Sequence, residues 1–298
     1  MVFHLNGQLV LPDQARISPL DRGFIFGDGI YEGLRAIHVD DGNAPRPARI
    51  IGWKQHVDRM NAGLRELAID FDAALLEKPT HDLLSSNGMT NAFVYWQVTS
   101  GTPRLEQDPP RSRLAPAGLK PTVFGYCTPQ PPLDELTTPP VKKVITCRDI
   151  RWEMGQIKAI SLCGNVWATR QAARAGAEEV IFTRNGLVTE GLATNLVFAF
   201  ERNGKVEIAT PSLDSAPMLA GVTRSILVKL LPDFVQRPIR EEEIAQASEV
   251  MLIGTTTMVT TIGAINGKAV GDGKPGPVAR RLHDLLVGAI RSGSDVHL

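Results

Sequence analysis

Five prolines fall within a short stretch in the middle of this chain: Pro129, Pro131, Pro132, Pro139 and Pro140. A proline lacks the N–H that a strand ladder or a helix requires, so no regular element runs through the whole stretch. Strand-like residues flank it, Thr122 to Tyr126 before and Val141 to Thr146 after. The pattern predicts an N-terminal domain over 1–126, a linker over 127–140 and a C-terminal domain over 141–298. A chain of 298 residues is long enough for both, at ~150 residues per domain.

Each half mixes strands with helices. Asn6-Gly7 between apolar residues predicts a hairpin, because both positions tolerate positive φ. The spacing of Val57, Met60, Leu64 and Leu67 predicts an amphipathic helix over Trp53 to Ala68, with a second over Asp72 to Ser86. Ala92 to Thr99 is aromatic and β-branched, a strand, and a loop rich in Pro, Arg and Gly follows from Gly101 to Gly118. In the second half, helices are expected at Leu162 to Ala175, Val222 to Leu231 and Pro277 to Ile290, and strands at Glu179 to Arg184 and Glu249 to Ile253. Turns are expected at Asn185-Gly186 and Asn203-Gly204.

Lysine plus arginine and aspartate plus glutamate each number 32, which argues against a nucleic-acid coat or a polybasic membrane binder. Three cysteines without C-x-x-C spacing and six scattered histidines indicate neither a disulfide framework nor a metal site. The first residues lack the basic and apolar segments of a signal peptide, and no run is apolar enough to span a membrane. The expectation is a cytoplasmic protein.

Chemistry enters at Lys158, set among Ile157, Ala159, Ile160 and Leu162. Desolvation disfavours an ammonium, and the free amine is the form that condenses with an aldehyde. Glu190, beside Gly191 after a short strand, is a carboxylate suited to keep a pyridine nitrogen protonated. Three further features suit a phosphate: Gly221-Val222-Thr223 opening a helix, the run Gly254-Thr255-Thr256-Thr257 after a strand, and Arg59 on the first long helix. Each alone has an ordinary structural explanation: a lysine stem packing, a turn acid, a helix cap, a β-rich turn, a surface charge. His56 reads as a helix-packing residue. Gly27-Asp-Gly29-Ile-Tyr-Glu-Gly33 has the spacing G-x-G-x-x-x-G, not that of a dinucleotide fingerprint.

Taken together, the ordered motifs resemble the class IV (fold type IV) pyridoxal phosphate aminotransferases. They are Asp21-Arg-Gly-Phe-Ile-Phe-Gly-Asp-Gly-Ile-Tyr31-Glu-Gly, His56-x-x-Arg59, Tyr95-Trp-Gln-Val-Thr-Ser-Gly101, the Lys158 segment, Thr189-Glu190-Gly191, Gly221-Val-Thr-Arg224 and Gly254-Thr255. The resemblance implies an α+β fold of two domains, D-amino acid aminotransferase-like. It implies pyridoxal 5'-phosphate bound through Lys158, with Glu190 at the ring nitrogen and Arg59, Val222, Thr223, Gly254 and Thr255 around the phosphate. Tyr31, Arg104 and Thr256 are implied as substrate contacts. The implied activity is ping-pong transamination between an amino acid, D-alanine favoured, and a 2-oxo acid, in a homodimer.

The loop Gly101-Thr-Pro-Arg104-Leu-Glu106 is similar to the carboxylate trap of the D-amino acid enzymes, one residue shorter, with Glu106 where those carry a histidine. An acid there repels a substrate carboxylate unless it points away or pairs with Arg104. Tyr31-Glu-Gly-Leu-Arg-Ala leans instead towards the branched-chain L-amino acid enzymes, and the Glu106 departure keeps (R)-selective amine transamination open. Aminodeoxychorismate lyase chemistry ranks last.

Overall fold

The computed structural model describes residues 1–38, 48–202 and 204–294. The chain divides into two compact units: Met1–Glu135 with Ile157–Leu162, and Leu136–Gln156 with Cys163–Leu298.

The first unit opens with the expected hairpin, β1 (Phe3–Leu5) and β2 (Gln8–Val10), turning through Asn6 and Gly7 at φ 50° and 88°. A short helix, α1 (Arg22–Phe26), leads into β3 (Gly29–Ile37), so the glycine-rich stretch runs from helix to strand, the reverse of a dinucleotide-binding unit. After β4 (Arg49–Ile50) come α2 (Trp53–Glu66), α3 (Glu77–Ser86), β5 (Ala92–Thr99) and β6 (Thr122–Pro129). The predicted helix over 72–86 splits into a tight turn, Ala73–Leu76, and α3. Pro79 is the reason: it has no N–H to continue an earlier helix, but is tolerated in the first turn of a new one.

These strands form one antiparallel sheet in the order β2-β1-β6-β5-β3-β4. Along β5, Ala92, Val94, Trp96 and Val98 are buried while Phe93, Tyr95 and Gln97 are half-exposed. The buried face is covered by α2 against β3 and by α3 against β1 and β6. Helix α2 turns His56, Met60, Gly63 and Leu64 inward, a stripe of helical spacing. The strand predicted to end at Tyr126 continues to Pro129, beyond the residues that β1 flanks, where a proline interrupts only one ladder.

One expectation is corrected. Lys158 belongs to the first unit, not to the C-terminal domain. Strand β4 pairs only with Ala36 and Ile37, which leaves the start of β3 with an open edge. The Lys158 segment covers it: Tyr31 N–H donates to Lys158 O at 3.0 Å, Ile160 N–H donates to Gly29 O at 3.1 Å, and Ile30 and Ala159 form a bridge. Buried Ile157 and Ala159 anchor the segment, and an edge closed in this way is not left as a template for foreign strands.

The second unit is built on a mixed sheet. Its elements are β7 (Val141–Arg148), α4 (Cys163–Arg174), β8 (Glu179–Arg184), β9 (Leu187–Val188), β10 (Asn195–Arg202), β11 (Lys205–Pro211), α5 (Val222–Leu230), β12 (Phe234–Arg237), β13 (Glu249–Gly254), β14 (Met258–Ile265), β15 (Lys268–Ala269) and α6 (Pro277–Ser292). The order is β12-β11-β10-β13-β14-β7-β8-β9, with β15 beside β14. Central strands are buried on both faces, the signature of a covered sheet. Alternation along β8 shows why. Val180 and Phe182 pack towards Ala168 and Ala172 of α4, while Ile181 joins a cluster with Phe198, Phe200 and Leu252. Asn203, half of an expected turn, lies outside the described residues; β10 and β11 pair on either side of it, Arg202 opposite Lys205. Among the described residues no helix is long and apolar enough to cross a membrane, and no acid, histidine or cysteine cluster is arranged to hold a metal.

Trp96 is fully buried and its Nε1–H donates to Thr80 Oγ1 at 2.9 Å, while that hydroxyl donates to Leu76 O. Thr80→Val keeps the shape but strands the indole N–H in the core. The expected cost is about 1–3 kcal/mol, read as a lower midpoint in urea unfolding; an unchanged midpoint contradicts this packing.

Candidate active site

In the first unit, period-two alternation along β3 sends neighbouring residues to opposite faces of the sheet. Tyr31 lies on the half-exposed face, and the Lys158 Nζ stands 4.3 Å from the centre of its ring, close enough for a cation–π contact. Tyr31 stacks on Tyr95 at 5.7 Å and Tyr95 on Tyr126 at 5.2 Å, so all three tyrosines of the chain form one row across β3, β5 and β6. The Tyr95 hydroxyl donates to Gln97 Oε1 at 2.8 Å, and burial together with its two tyrosine neighbours pushes its pKa up. Lys158 itself is half-buried.

The next residue, Glu32, turns to the buried face. Its Oε1 accepts from Arg59 Nε at 2.7 Å and its Oε2 from Arg59 Nη2 at 2.8 Å, a two-point carboxylate–guanidinium pair, and His56 Nδ1 lies 2.8 Å from Oε2. Burial pushes Glu32 towards the neutral acid, yet the adjacent Arg59 and His56 outweigh it and hold the carboxyl well below the usual range. Burial also lowers the pKa of His56 against the pull of Glu32, with Arg59 and Lys158 adding to the lowering, so the imidazole is neutral near pH 7. A neutral ring donating from Nδ1 leaves Nε2 as a buried acceptor without a partner. The buried His56 agrees with a packing role, and Arg59 is committed to Glu32 as well as being an expected phosphate ligand.

Arg104 is exposed on the loop after β5. Its backbone N–H and its Nε both donate to Asp108 Oδ2 at 3.0 Å, and Nη2 donates to Ala117 O at 3.2 Å. Glu106, the residue the sequence set against Arg104, is exposed and the ion pair is made by Asp108 instead.

In the second unit, Glu190 is buried and held at both oxygens: Arg151 Nη1 donates to Oε1 at 2.8 Å and Leu219 N–H donates to Oε2 at 2.9 Å. Arg151 lies over the Phe182 ring and is fixed by Asp149, which also pairs with Arg184 at 3.1 Å. Burial raises the Asp149 carboxyl, but Arg151 and Arg184 outweigh it and hold it low. Asn195 at the head of β10 ties the remaining pieces together. Its Nδ2 donates to Leu219 O, it sits opposite Ile253 in the sheet, and a Cβ on Gly221 would overlap its Oδ1. Only glycine therefore lets α5 begin so near Asn195. Helix α5 starts there without a side-chain cap, so the N–H groups of Val222 and Thr223 meet no capping oxygen. Gly254 adjoins Ala193 O and Thr194 Cγ2, and the Thr194 hydroxyl is buried without a partner. Thr255 is half-buried and Thr256 exposed in the turn before β14. The unit thus brings Glu190, Val222, Thr223 and Gly254 around one strand end, whereas Lys158, Tyr31, Arg59 and Arg104 belong to the first unit.

Residues 29–265 match the Amino-transferase class IV family. A D-alanine aminotransferase of Bacillus licheniformis is 30% identical over 294 residues, covering 96% of each chain. One of Staphylococcus haemolyticus is 32% identical over 289 residues, 94% of each. Among solved structures, the branched-chain amino acid aminotransferase of Escherichia coli superposes with a TM-score of 0.82 at 20% identity, over 96% of this chain and 93% of that one. The chain belongs to the class IV aminotransferases, and its fold is that of the family.

Reading residues one by one misses Glu32, Arg151 and Asp108. An acid in the largely apolar strand Ile30 to Ile37, whose one other charge is Arg35, followed by a His-x-x-Arg helix, was the available sign of the Glu32 cluster. Because Glu32 titrates lower folded than unfolded, its stabilisation is complete above the usual carboxylate range and is lost as pH falls through and below it. Glu32→Gln leaves the Arg59 charge without its counter-ion, at an expected cost of about 3–5 kcal/mol near pH 7. The gap to wild type should narrow as unfolding is followed from about pH 6 to about pH 3; a constant gap contradicts the ion pair.

Proposed function

We propose that this chain is a pyridoxal 5'-phosphate-dependent transaminase that moves the amino group of a D-amino acid, D-alanine foremost, to a 2-oxo acid such as 2-oxoglutarate or pyruvate. The observation that carries the reading is a half-buried Lys158 poised over Tyr31 in a chain that also holds Glu190 rigidly at both oxygens. The named relatives at 30% and 32% identity support the donor.

The residues fit the cofactor. An acid fixed by Arg151 and Leu219, an uncapped helix start and the unpartnered Thr194 hydroxyl gather in one unit, and these are the donor and acceptor types that a pyridine ring and its phosphate require. When bound, the cofactor supplies a protonated ring that accepts the electron pair released at the substrate Cα. Lys158 holds the cofactor and moves the proton to and from that carbon. Glu190 keeps the ring nitrogen protonated, and Arg151 keeps Glu190 aimed. Val222, Thr223, Gly254 and Thr255 hold the phosphate with Arg59, which Glu32 orients. Tyr31, Arg104 and Thr256 contact the substrate, Arg104 at its carboxylate. The protein works in the cytoplasm as a homodimer in this reading.

Lys158→Ala is expected to abolish turnover while leaving the unfolding midpoint near wild type; retained turnover overturns the assignment. Single half-reactions settle the donor. The visible band of the holoenzyme should be discharged by D-alanine and persist with L-leucine. Discharge by L-leucine alone overturns the D-amino acid reading in favour of the branched-chain one.

A further inference from the structure

The loop after β5 contains an acid that the reaction has not used. Asp108 accepts from Arg104 twice, from its backbone N–H and its Nε, while the Arg104 Nη2 is engaged by Ala117 O. The edge of the guanidinium formed by Nε and Nη2, one of the two that grip a carboxylate at two points, is therefore already in use. The contact is built into the backbone. Gln107 and Asp108 N–H groups both donate to Arg104 O, which folds the loop so that the carboxyl of residue 108 returns to residue 104. Asp108 is only 9% exposed against 51% for Arg104, so the acid is the fixed member of the pair. Hydrogen bonds from Arg104 hold its carboxyl below the ordinary range and keep it charged at neutral pH. Further along, the loop is clasped independently: Arg22 donates from Nη1 to Ser112 O at 2.6 Å and from Nη2 to Arg113 O at 2.9 Å.

We propose that Asp108 is a specificity-determining residue: it occupies Arg104 as an internal carboxylate, so a substrate carboxylate reaches that arginine only in competition with it. The inference rests on the reading of Arg104 as the substrate-carboxylate contact. Donors that lack a carboxylate meet no such competition, so Asp108 narrows the advantage of amino acids over simple primary amines. The acid that sets this balance is four residues beyond Arg104, while Glu106, two residues beyond it, is exposed.

The test compares steady-state kinetics of the holoenzyme with D-alanine and with 1-phenylethylamine. Asp108→Asn should lower KM for D-alanine by about two- to five-fold, the range of an exposed ion pair, with kcat and the KM for 1-phenylethylamine unchanged. In an Arg104→Ala background the same substitution should change nothing, since the competitor has lost its target. An unchanged or raised KM for D-alanine in Asp108→Asn, with Arg104→Ala raising it, overturns the inference and leaves the role of Arg104 standing. An Arg104→Ala variant with wild-type KM for D-alanine removes both.

Discussion

The pairing of the Lys158 segment with the open edge of β3 is the contact on which the rest of the first unit's chemistry depends. Two backbone hydrogen bonds, Tyr31 N–H to Lys158 O and Ile160 N–H to Gly29 O, set the lysine against the strand. The pleat then divides the work. Tyr31 faces the lysine amine and begins the row of stacked rings, and Glu32, one residue on, faces the helix side and binds Arg59 and His56. A strand slipped by one residue would exchange these faces, placing a carboxylate under the amine and a phenol in the core. The eight-residue ladder between β3 and β5 and the buried Glu32–Arg59 pair both oppose such a slip.

In the second unit, fixed dipoles and paired charges do what net charge does not. The chain carries as many acids as bases, yet Arg184, Asp149, Arg151 and Glu190 alternate in sign along one line of ion pairs that ends in a hydrogen bond from the Leu219 N–H. Each buried charge is satisfied by the next, which offsets the cost of desolvating it. The uncapped start of α5 offers backbone N–H groups and the positive end of a helix dipole in place of a cation.

What could be read from the sequence follows from how local its causes are. The Asn6-Gly7 turn, α2, β5 and β8 are set by short-range periodicity and turn chemistry, and they stand where expected. The return of residues 157–162 to the first unit was not legible, because nothing in those six residues names their partner strand. The candidate site shows the same division. Lys158, Glu190 and the α5 start were recognisable as residue types in context. Their partners Tyr31, Arg151 and Asn195 came together through strand register and long-range hydrogen bonds. At Arg104 the sequence left two outcomes for Glu106, pointing away or pairing with the arginine; Glu106 is exposed, and loop geometry brings Asp108 to Arg104.

The central claim is that Lys158 is the amine that binds the cofactor. Borohydride reduction of the holoenzyme followed by proteolysis and mass spectrometry tests it directly. The account predicts one stable pyridoxyl adduct, on the peptide that contains Lys158. A stable adduct on another lysine, or none after reduction of cofactor-saturated protein, would contradict it.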